Sequence, residues 1–461
     1  MLVVLTALAT TLVLGTFMAW RFRATRSILE PGIVFSANLL VLYPIRLIAL
    51  WLFEDDARPS YFEVLEETAL ERAAMLALIG SIGFVAGYVA VLRGRSIAVL
   101  DSRHWHESTG DVRLVWVFLV LSLFGTAYLV LTGDYISYLM GQNRNPAFQH
   151  IAYLFSTFQW AGFIGAWILY LRAPKGNGVL FTLVIVNLVV VPYQFIQGSK
   201  TFLSLLVVSL LFAYVWVRRR FPLTLATAGL AFVTFFVFPF VEQFRAHVNA
   251  EYGEIPSFLQ FRLKELGGLE ARDVSDADNK WWSSALKVSG RYAGIDELHN
   301  LDRMVPTYLD YRYGKDFMAI IYNVVPRMLW AGKPEYSRGA DYGAALGTVT
   351  SVTPFPYGEA LWQFGAMGLM PMMVFWGAAL AAVVRGVDWF FRRARNQLFV
   401  IAIFISQIYW IARGETSLAG VLSGLPQQAV LYGAAYWLVR WVSSGTKLVR
   451  AEVASSSGRR P

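Results

Sequence analysis

The stretch Leu114-VWVFLVLSLFGTAYLVL-Thr132 carries no charged residue. As a helix rising 1.5 Å per residue it reaches about 28 Å, close to the ~30 Å of hydrocarbon in a bilayer. A chain in hydrocarbon must pair every backbone N–H and C=O within itself, so a run of this kind is a membrane helix. Similar runs recur near residues 2–20, 32–53, 69–92, 151–171, 178–197, 201–217, 222–241, 360–384, 397–412 and 417–440, which makes eleven spans. Strand-like alternation is absent, which argues against an outer-membrane barrel. Composition agrees: the 461 residues are 56% hydrophobic and only 15% charged, too apolar for a soluble chain of this length. The expected fold class is an all-α polytopic membrane protein.

Arginines in the short loops give its orientation, because basic loops stay on the cytoplasmic side. Arg21, Arg23 and Arg26 follow the first span, Arg93 and Arg95 the third, and Arg172 and Lys175 the fifth. Arg218, Arg219 and Arg220 follow the seventh, and Arg385, Arg392, Arg393 and Arg395 the ninth; Lys447, Arg450, Arg459 and Arg460 lie in the tail. The intervening loops are acidic or neutral, as with Glu54, Asp55 and Asp56. The N-terminus is expected outside and the C-terminus inside. Charges placed after the first apolar run, not before it, argue against a cleaved signal. These same charges account for the formal net charge of +9, so nucleic acid is not an expected partner. With no cysteine and five histidines lacking ligand spacing, neither a disulfide nor a metal site is expected.

One long polar segment interrupts this pattern. The organisation reads as an N-terminal bundle of eight spans (1–241), a large external loop with helices (242–359), C-terminal membrane helices (360–442) and a cytoplasmic tail (443–461). Within the loop, residues 281–304 have helical spacing that sets Arg291, Ile295, Leu298 and Asp302 on one face. The apolar segment from Phe317 to Trp330 is broken at Pro326 and too short to span, so it is expected against the outer leaflet.

Several polar residues have chemical uses. Arg46 sits inside the second span beside Tyr43-Pro44, where it either snorkels outward or faces an internal aqueous cavity. Gln197-Gly198-Ser199-Lys200 makes a short external turn: either a plain hairpin or, with backbone amides, the helix dipole and Lys200 together, an anion site. Asn187, Gln194 and Gln428 read as interhelical hydrogen-bonding groups. Arg327, Lys333 and Arg338, stiffened by Pro326 and Pro334, suit a diphosphate, since a guanidinium donates paired hydrogen bonds to phosphate oxygens. Glu359 is either a helix N-terminal acid or a general base with a raised pKa. His299 and Asp302 read as a solvated polar face or as catalytic groups, and Arg46 and Arg245 are secondary candidates.

Gly198-Ser199-Lys200, Arg291, Tyr313-Gly314-Lys315, Pro326-Arg327 through Trp330 to Lys333-Pro334, and Gly358-Glu359 through Phe364-Gly365 together resemble the Wzy-type O-antigen polysaccharide polymerases over residues 190–370. Lys200 departs from the arginine more usual there. The resemblance implies a C-type glycosyltransferase-like membrane fold in a bacterial inner membrane. It also implies a periplasmic loop and transfer of a growing glycan from undecaprenyl diphosphate to the end sugar of another lipid-linked repeat unit. In that reading Arg327, Arg291, Arg338, Lys333 and Lys200 bind diphosphate, Glu359 is the base ahead of Asp302 and His299, and no metal or cofactor is needed. Expected partners are the lipid-linked oligosaccharide, the bilayer, a chain-length regulator and a repeat-unit flippase. The alternatives are transfer to a lipid A core, as in O-antigen ligases, and a non-enzymatic flippase or exporter.

Overall fold

The computed structural model describes residues 1–52, 67–105, 111–131, 152, 155–172, 177–197, 200–233, 294–325, 330, 332, 334, 338–347, 352–412, 421 and 427–439. Its helices are α1 (Leu2–Thr25), α2 (Pro31–Leu50), α3 (Glu67–Leu92), α4 (Asp111–Leu131), α5 (Phe158–Arg172), α6 (Asn177–Gln197), α7 (Lys200–Arg218) and α8 (Leu223–Phe232). They continue as α9 (Gly294–Met304), α10 (Met318–Val324), α11 (Arg338–Ala345), α12 (Phe355–Arg393), α13 (Gln397–Ala412) and α14 (427–439). The described residues contain helices and no strand, and the protein is an α-helical, multi-pass membrane protein. Six helices, α1, α2, α3, α4, α6 and α12, are long and apolar enough to cross a bilayer. Leu203–Arg218, Leu223–Phe232 and Gln397–Ile408 are apolar over shorter lengths.

The arginine-bearing ends of the helices gather at one end of the bundle. There the segment 97–105, with short 3-10 turns at Ala98–Leu100 and Ser102–His104, acts as a cross-tie. Arg172 at the end of α5 donates to the carbonyls of Ser102 and Trp105, at 2.8 and 3.3 Å. Just past α7, Arg219 meets Asp101 at 2.6 Å, and within it the Trp216 indole donates to the Val99 carbonyl at 3.0 Å. Asp388 of α12 accepts from the Val99 amide at 3.1 Å. Burial and the surrounding donors act on Asp101 in opposition, and the bonds from Arg103 and Arg219 win, holding its carboxyl well below the usual range.

One charge read as a surface retention residue is not at the surface. Arg21 is fully buried: it pairs with Glu30 at 2.6 Å and donates to the Arg93 and Arg95 carbonyls, at 2.6 and 3.2 Å. The guanidinium thereby satisfies the free carbonyls beyond the end of α3, a fixed use for donors that a loop charge would leave to water.

The membrane core is organised on the crossing of α3 and α12. A Cβ added at Gly87 would lie 1.9 Å from the Val374 carbonyl oxygen, one at Gly377 2.1 Å from that of Phe84, and one at Gly83 2.8 Å from that of Met370. Small residues allow this backbone approach, and in lipid such packing replaces the hydrophobic force that water would supply. Aromatic rings fill the remaining space, with Phe84 against Phe35 at 4.7 Å and Tyr88 against Phe17 at 5.5 Å. Gln194 of α6 donates to Gln159 of α5 at 2.8 Å, the interhelical use expected of it, whereas Asn187 bonds the Leu183 carbonyl of its own helix.

Gly87→Val and Gly377→Val are each expected to separate α3 from α12 and abolish monodisperse protein on size exclusion in mild detergent. Gly15→Val, where a Cβ meets nothing within 4 Å, serves as the tolerated control.

Candidate functional site

The opposite end of the bundle holds a buried polar cluster drawn from five separate parts of the chain. Helix α9 lies across it, and its docking depends on absent side chains at two points. A Cβ at Gly294 would meet Leu42 of α2 at 2.9 Å, and one at Gly358 of α12 would meet Leu301 of α9 at 2.8 Å. Ile295, Leu298 and Leu301 anchor α9 in the core, and Asp296, Glu297 and His299 are carried into the protein with them.

The receiving surface of α2 is shaped by a π turn, Val41–Ile45, around Pro44. Proline removes an amide from the helical ladder, and a wider turn is one way to accommodate the loss. Tyr43 precedes the turn's proline and stacks on Tyr357 at 4.2 Å, its hydroxyl accepting from the Tyr357 amide at 3.2 Å. The Tyr357 hydroxyl in turn shares a 2.7 Å hydrogen bond with Ser81 of α3. Directly after the turn, the Arg46 guanidinium meets Asp296 at 3.0 Å with both side chains buried. Removing one partner of such a pair costs about 3–5 kcal/mol, which gives Arg46 a structural role in holding α9 down as well as any chemical one.

The floor of the site is the broken start of α12. Gly365, at φ 71°, interrupts the helix between Phe355 and Arg393. Carbonyls freed by the break need donors, and the loop 310–317 supplies them. The amides of Arg312 and Tyr313 donate to the Trp362 and Gln363 carbonyls at 3.1 and 3.0 Å. The Gly314 amide donates to the Gln363 side chain at 2.9 Å, Gln363 donates to Asp316, and the Trp362 indole donates to the Asp310 carbonyl at 3.1 Å. Arg312 meets Asp316 at 2.7 Å and Asp341 at 3.0 Å while lying over the Trp362 ring.

The residues expected from sequence to do chemistry divide as follows. Glu359 is fully buried in the first segment of α12, which begins at Phe355. His299 is buried on α9. Asp302 is at the edge and pairs at 2.7 Å with Arg72 of α3, on the outward side of the same helix. Arg46 does not snorkel. Its position at the end where α9 docks is shared by the start of α11, which opens at Arg338, and by the start of α7, which opens at Lys200; only the backbone of these two residues is described. Arg245, Arg291, Arg327 and Lys333 lie outside the described residues. The segment expected against the leaflet contains α10, with Met318, Ile321 and Trp330 exposed.

Sequence reasoning missed Asp296, Glu297, Tyr342 and Gln363. Two adjacent acids beside Ile295 in a polar segment look like a solvated face, and only the depth at which α9 docks makes them interior. Their environments differ. Burial raises the Asp296 pKa while Arg46 opposes the rise. Glu297 is 2% exposed, accepts from the Tyr342 hydroxyl at 2.5 Å, and among the described residues has no cationic partner. Burial, reinforced by the Asp296 charge and opposed by Tyr342 and Asn300, pushes its carboxyl up to about 7. The site thus sets an arginine-paired acid, Asp296, beside a carboxyl pushed up to about 7, two adjacent acids in different surroundings of the kind acid–base chemistry uses. Burial also raises the Asp302 pKa, with Arg72 opposing. Among the described residues no group of three or more acids or histidines is arranged to hold a metal ion.

A carboxyl whose folded pKa stands at about 7, above its ordinary 4.5, contributes stability that is complete below pH 4.5 and lost as pH rises through 7. Glu297→Gln, which copies the protonated form, is expected to remove that dependence. At 1.4 kcal/mol per pH unit the wild type loses on the order of 3 kcal/mol relative to the variant between pH 5 and pH 8. Thermal unfolding in detergent at the two pH values measures it; parallel curves for the two proteins would refute a neutral-pH titration at Glu297.

No protein-family model, no curated protein and no solved structure matches this chain.

Proposed function

We propose that this protein is a glycosyltransferase of the Wzy type, polymerising undecaprenyl-diphosphate-linked oligosaccharide repeat units at the periplasmic face of a bacterial inner membrane. In this reading the chain has eleven spans, a C-type glycosyltransferase-like fold, an outside N-terminus and an inside C-terminus. The observation that carries the reading is the convergence of Arg46, Asp296, Glu297, His299, Tyr342 and Glu359 at the end of the bundle opposite the arginine-rich one. If the arginine-rich end is cytoplasmic, as the retention rule requires, the cluster faces outward, where lipid-linked repeat units are joined.

The chemistry is a substitution at an anomeric carbon. The acceptor hydroxyl oxygen bonds to the donor's C1 as the C1–O bond to diphosphate breaks, its electron pair leaving with the diphosphate, and the hydroxyl proton passes to a carboxylate. Arg327, Arg291, Arg338, Lys333 and Lys200 neutralise the departing diphosphate. Glu359 takes the proton, and Glu297, with its neutral-range carboxyl, is the second acid–base group in place of Asp302, which Arg72 already engages. A flippase is the weaker reading. It calls for buried cations along a path between helices, and among the described residues the buried arginines, Arg21 and Arg46, are each ion-paired with a carboxylate.

The test uses a deletion strain carrying Glu359→Gln or Arg327→Ala, with protein level checked by blot and surface polysaccharide resolved by length. Polymerase action predicts a surface limited to single repeat units, corresponding to a rate loss of about 10²–10⁴ for removal of the base. Long chains left on the carrier with none attached to the surface would indicate a ligase instead. An undiminished ladder in either variant would remove that residue from the reaction.

A further inference from the structure

Outside the buried cluster, the end of α12 nearest to it carries an exposed aromatic and apolar surface formed by the loop 308–317, α10 and the break at Gly365. Its starting point is the outward side of α12. Met367, Met370, Phe375, Ala382 and Trp389 share that side at helical spacing and are all exposed, Met367 by 95%. On a helix long and apolar enough to span, such a stripe faces lipid. At the arginine-rich end it closes on Trp389, which Arg393 overlies at 4.2 Å, an aromatic and a basic group of the kind that anchor a helix at a membrane surface. Arg385, one turn earlier, is exposed and long enough to reach the same headgroups. From Trp389 back to Met367 the helix rises about 33 Å at 1.5 Å per residue, against ~30 Å of hydrocarbon. The other edge of the hydrocarbon thus falls close to Met367, beside the break at Gly365.

The loop fastened to that break presents tyrosines. A Cβ at Gly365 would meet the Tyr311 hydroxyl at 3.1 Å, and one at Gly314 the Phe364 ring at 3.4 Å, so the loop lies directly on the interruption. Tyr311 and Tyr313 meet edge to face at 5.7 Å, and Tyr313 is 70% exposed although its amide is tied to the Gln363 carbonyl. Tyr308 is more exposed still. Helix α10 follows without a charged residue, and Met318 and Ile321, one turn apart, are exposed on it. Trp330 meets Tyr322 of this helix edge to face at 5.7 Å and is exposed as well. Charge does not oppose an apolar setting: Arg312 is engaged by Asp316 and Asp341, and the exposed Asp310 and Lys315 are of opposite sign.

We infer that the loop 308–317 and α10 form an interfacial foot, seated in the headgroup and upper acyl region of the leaflet at the α9 end, with the hydrocarbon ending at Gly365. Continuity selects lipid as the occupant. The foot prolongs the lipid-facing stripe of α12 beyond Met367 through the exposed Phe364, at the depth where tyrosine and tryptophan find an apolar and a wet side together. Glu359 lies six positions before the break and so stays within about 9 Å of that boundary at 1.5 Å per residue. The foot therefore fixes how far the buried acids stand from the phosphate groups of the leaflet.

The chain has no cysteine, so single cysteines can be introduced and labelled with an environment-sensitive fluorophore. Tyr313→Cys, Ile321→Cys, Met367→Cys and Phe375→Cys are labelled in the full chain and reconstituted in phosphatidylcholine vesicles carrying a nitroxide at the headgroup, at acyl carbon 5 or at acyl carbon 12. Labels at 313 and 321 are expected to emit blue-shifted from their value in water and to be quenched at least twofold more by the headgroup and carbon-5 nitroxides than by the carbon-12 one. The label at 367 is expected to be quenched best by carbon 5, and that at 375, about 15 Å further along the helix, by carbon 12. Met318→Cys gives the same readout should Ile321→Cys fail to fold. Emission as in water at 313 and 321, without quenching by any nitroxide lipid, would overturn the foot. Blue-shifted emission without lipid quenching would mean that protein, from this chain or a second copy, covers the surface instead of lipid. Best quenching of the 367 label by carbon 12 would move the hydrocarbon boundary away from Gly365. None of these readouts depends on glycosyl transfer.

Discussion

The approach of α3 to α12 at Gly83, Gly87 and Gly377 is the constraint on which the rest of the membrane region depends. Hydrocarbon solvates an apolar side chain as well outside the bundle as inside it, so helices stay together only where their surfaces fit closely. This crossing brings Ser81 to Tyr357 and seats Tyr43 of α2 on the same ring. The cluster at the α9 end is therefore an extension of the core, assembled because its supports are packed backbone to backbone.

A second constraint acts at the break in α12. A helix interrupted at Gly365 frees carbonyls that lipid cannot satisfy, and the loop 310–317 answers with amides and side chains. The loop is thereby fastened to a membrane helix through Trp362 and Gln363. Arg312 joins the loop to α11 through Asp341, and Tyr342 on the next position of that helix reaches Glu297. Membrane helix, external loop and buried acid are consequently one connected structure, which lets a polar segment keep charged groups in defined positions at a bilayer surface.

Charge is used differently at the two ends. At the arginine-rich end, guanidinium groups terminate helices: Arg21 on the carbonyls after α3, and Arg172 on the carbonyls of the cross-tie. At the α9 end, acids outnumber the described buried cations, and Arg46 serves Asp296 while Glu297 is left to a phenol. Excess buried acid is costly unless a proton relieves it, which is the physical reason Glu297 titrates so far above an ordinary glutamate.

The sequence by itself determined that this is a helical membrane protein, because an uncharged run such as 114–132 has one low-energy conformation in hydrocarbon. It also marked Arg46 as a charge inside the second span that must either snorkel or face an internal cavity, and set the arginine-bearing helix ends apart from the rest. Only the tertiary structure decided that Arg46 meets Asp296, 250 positions away, that Asp302 belongs to Arg72, and that Arg21 is interior. The length and start of the helix carrying Glu359 were likewise decided by packing, since the segment 355–363 is too polar and short to register as a span yet is buried, with α9 docked against it. Hydropathy and periodicity record what a segment does with its immediate surroundings. Which acid a buried arginine finds depends on the contacts of helices distant in sequence, and no local pattern carries that information.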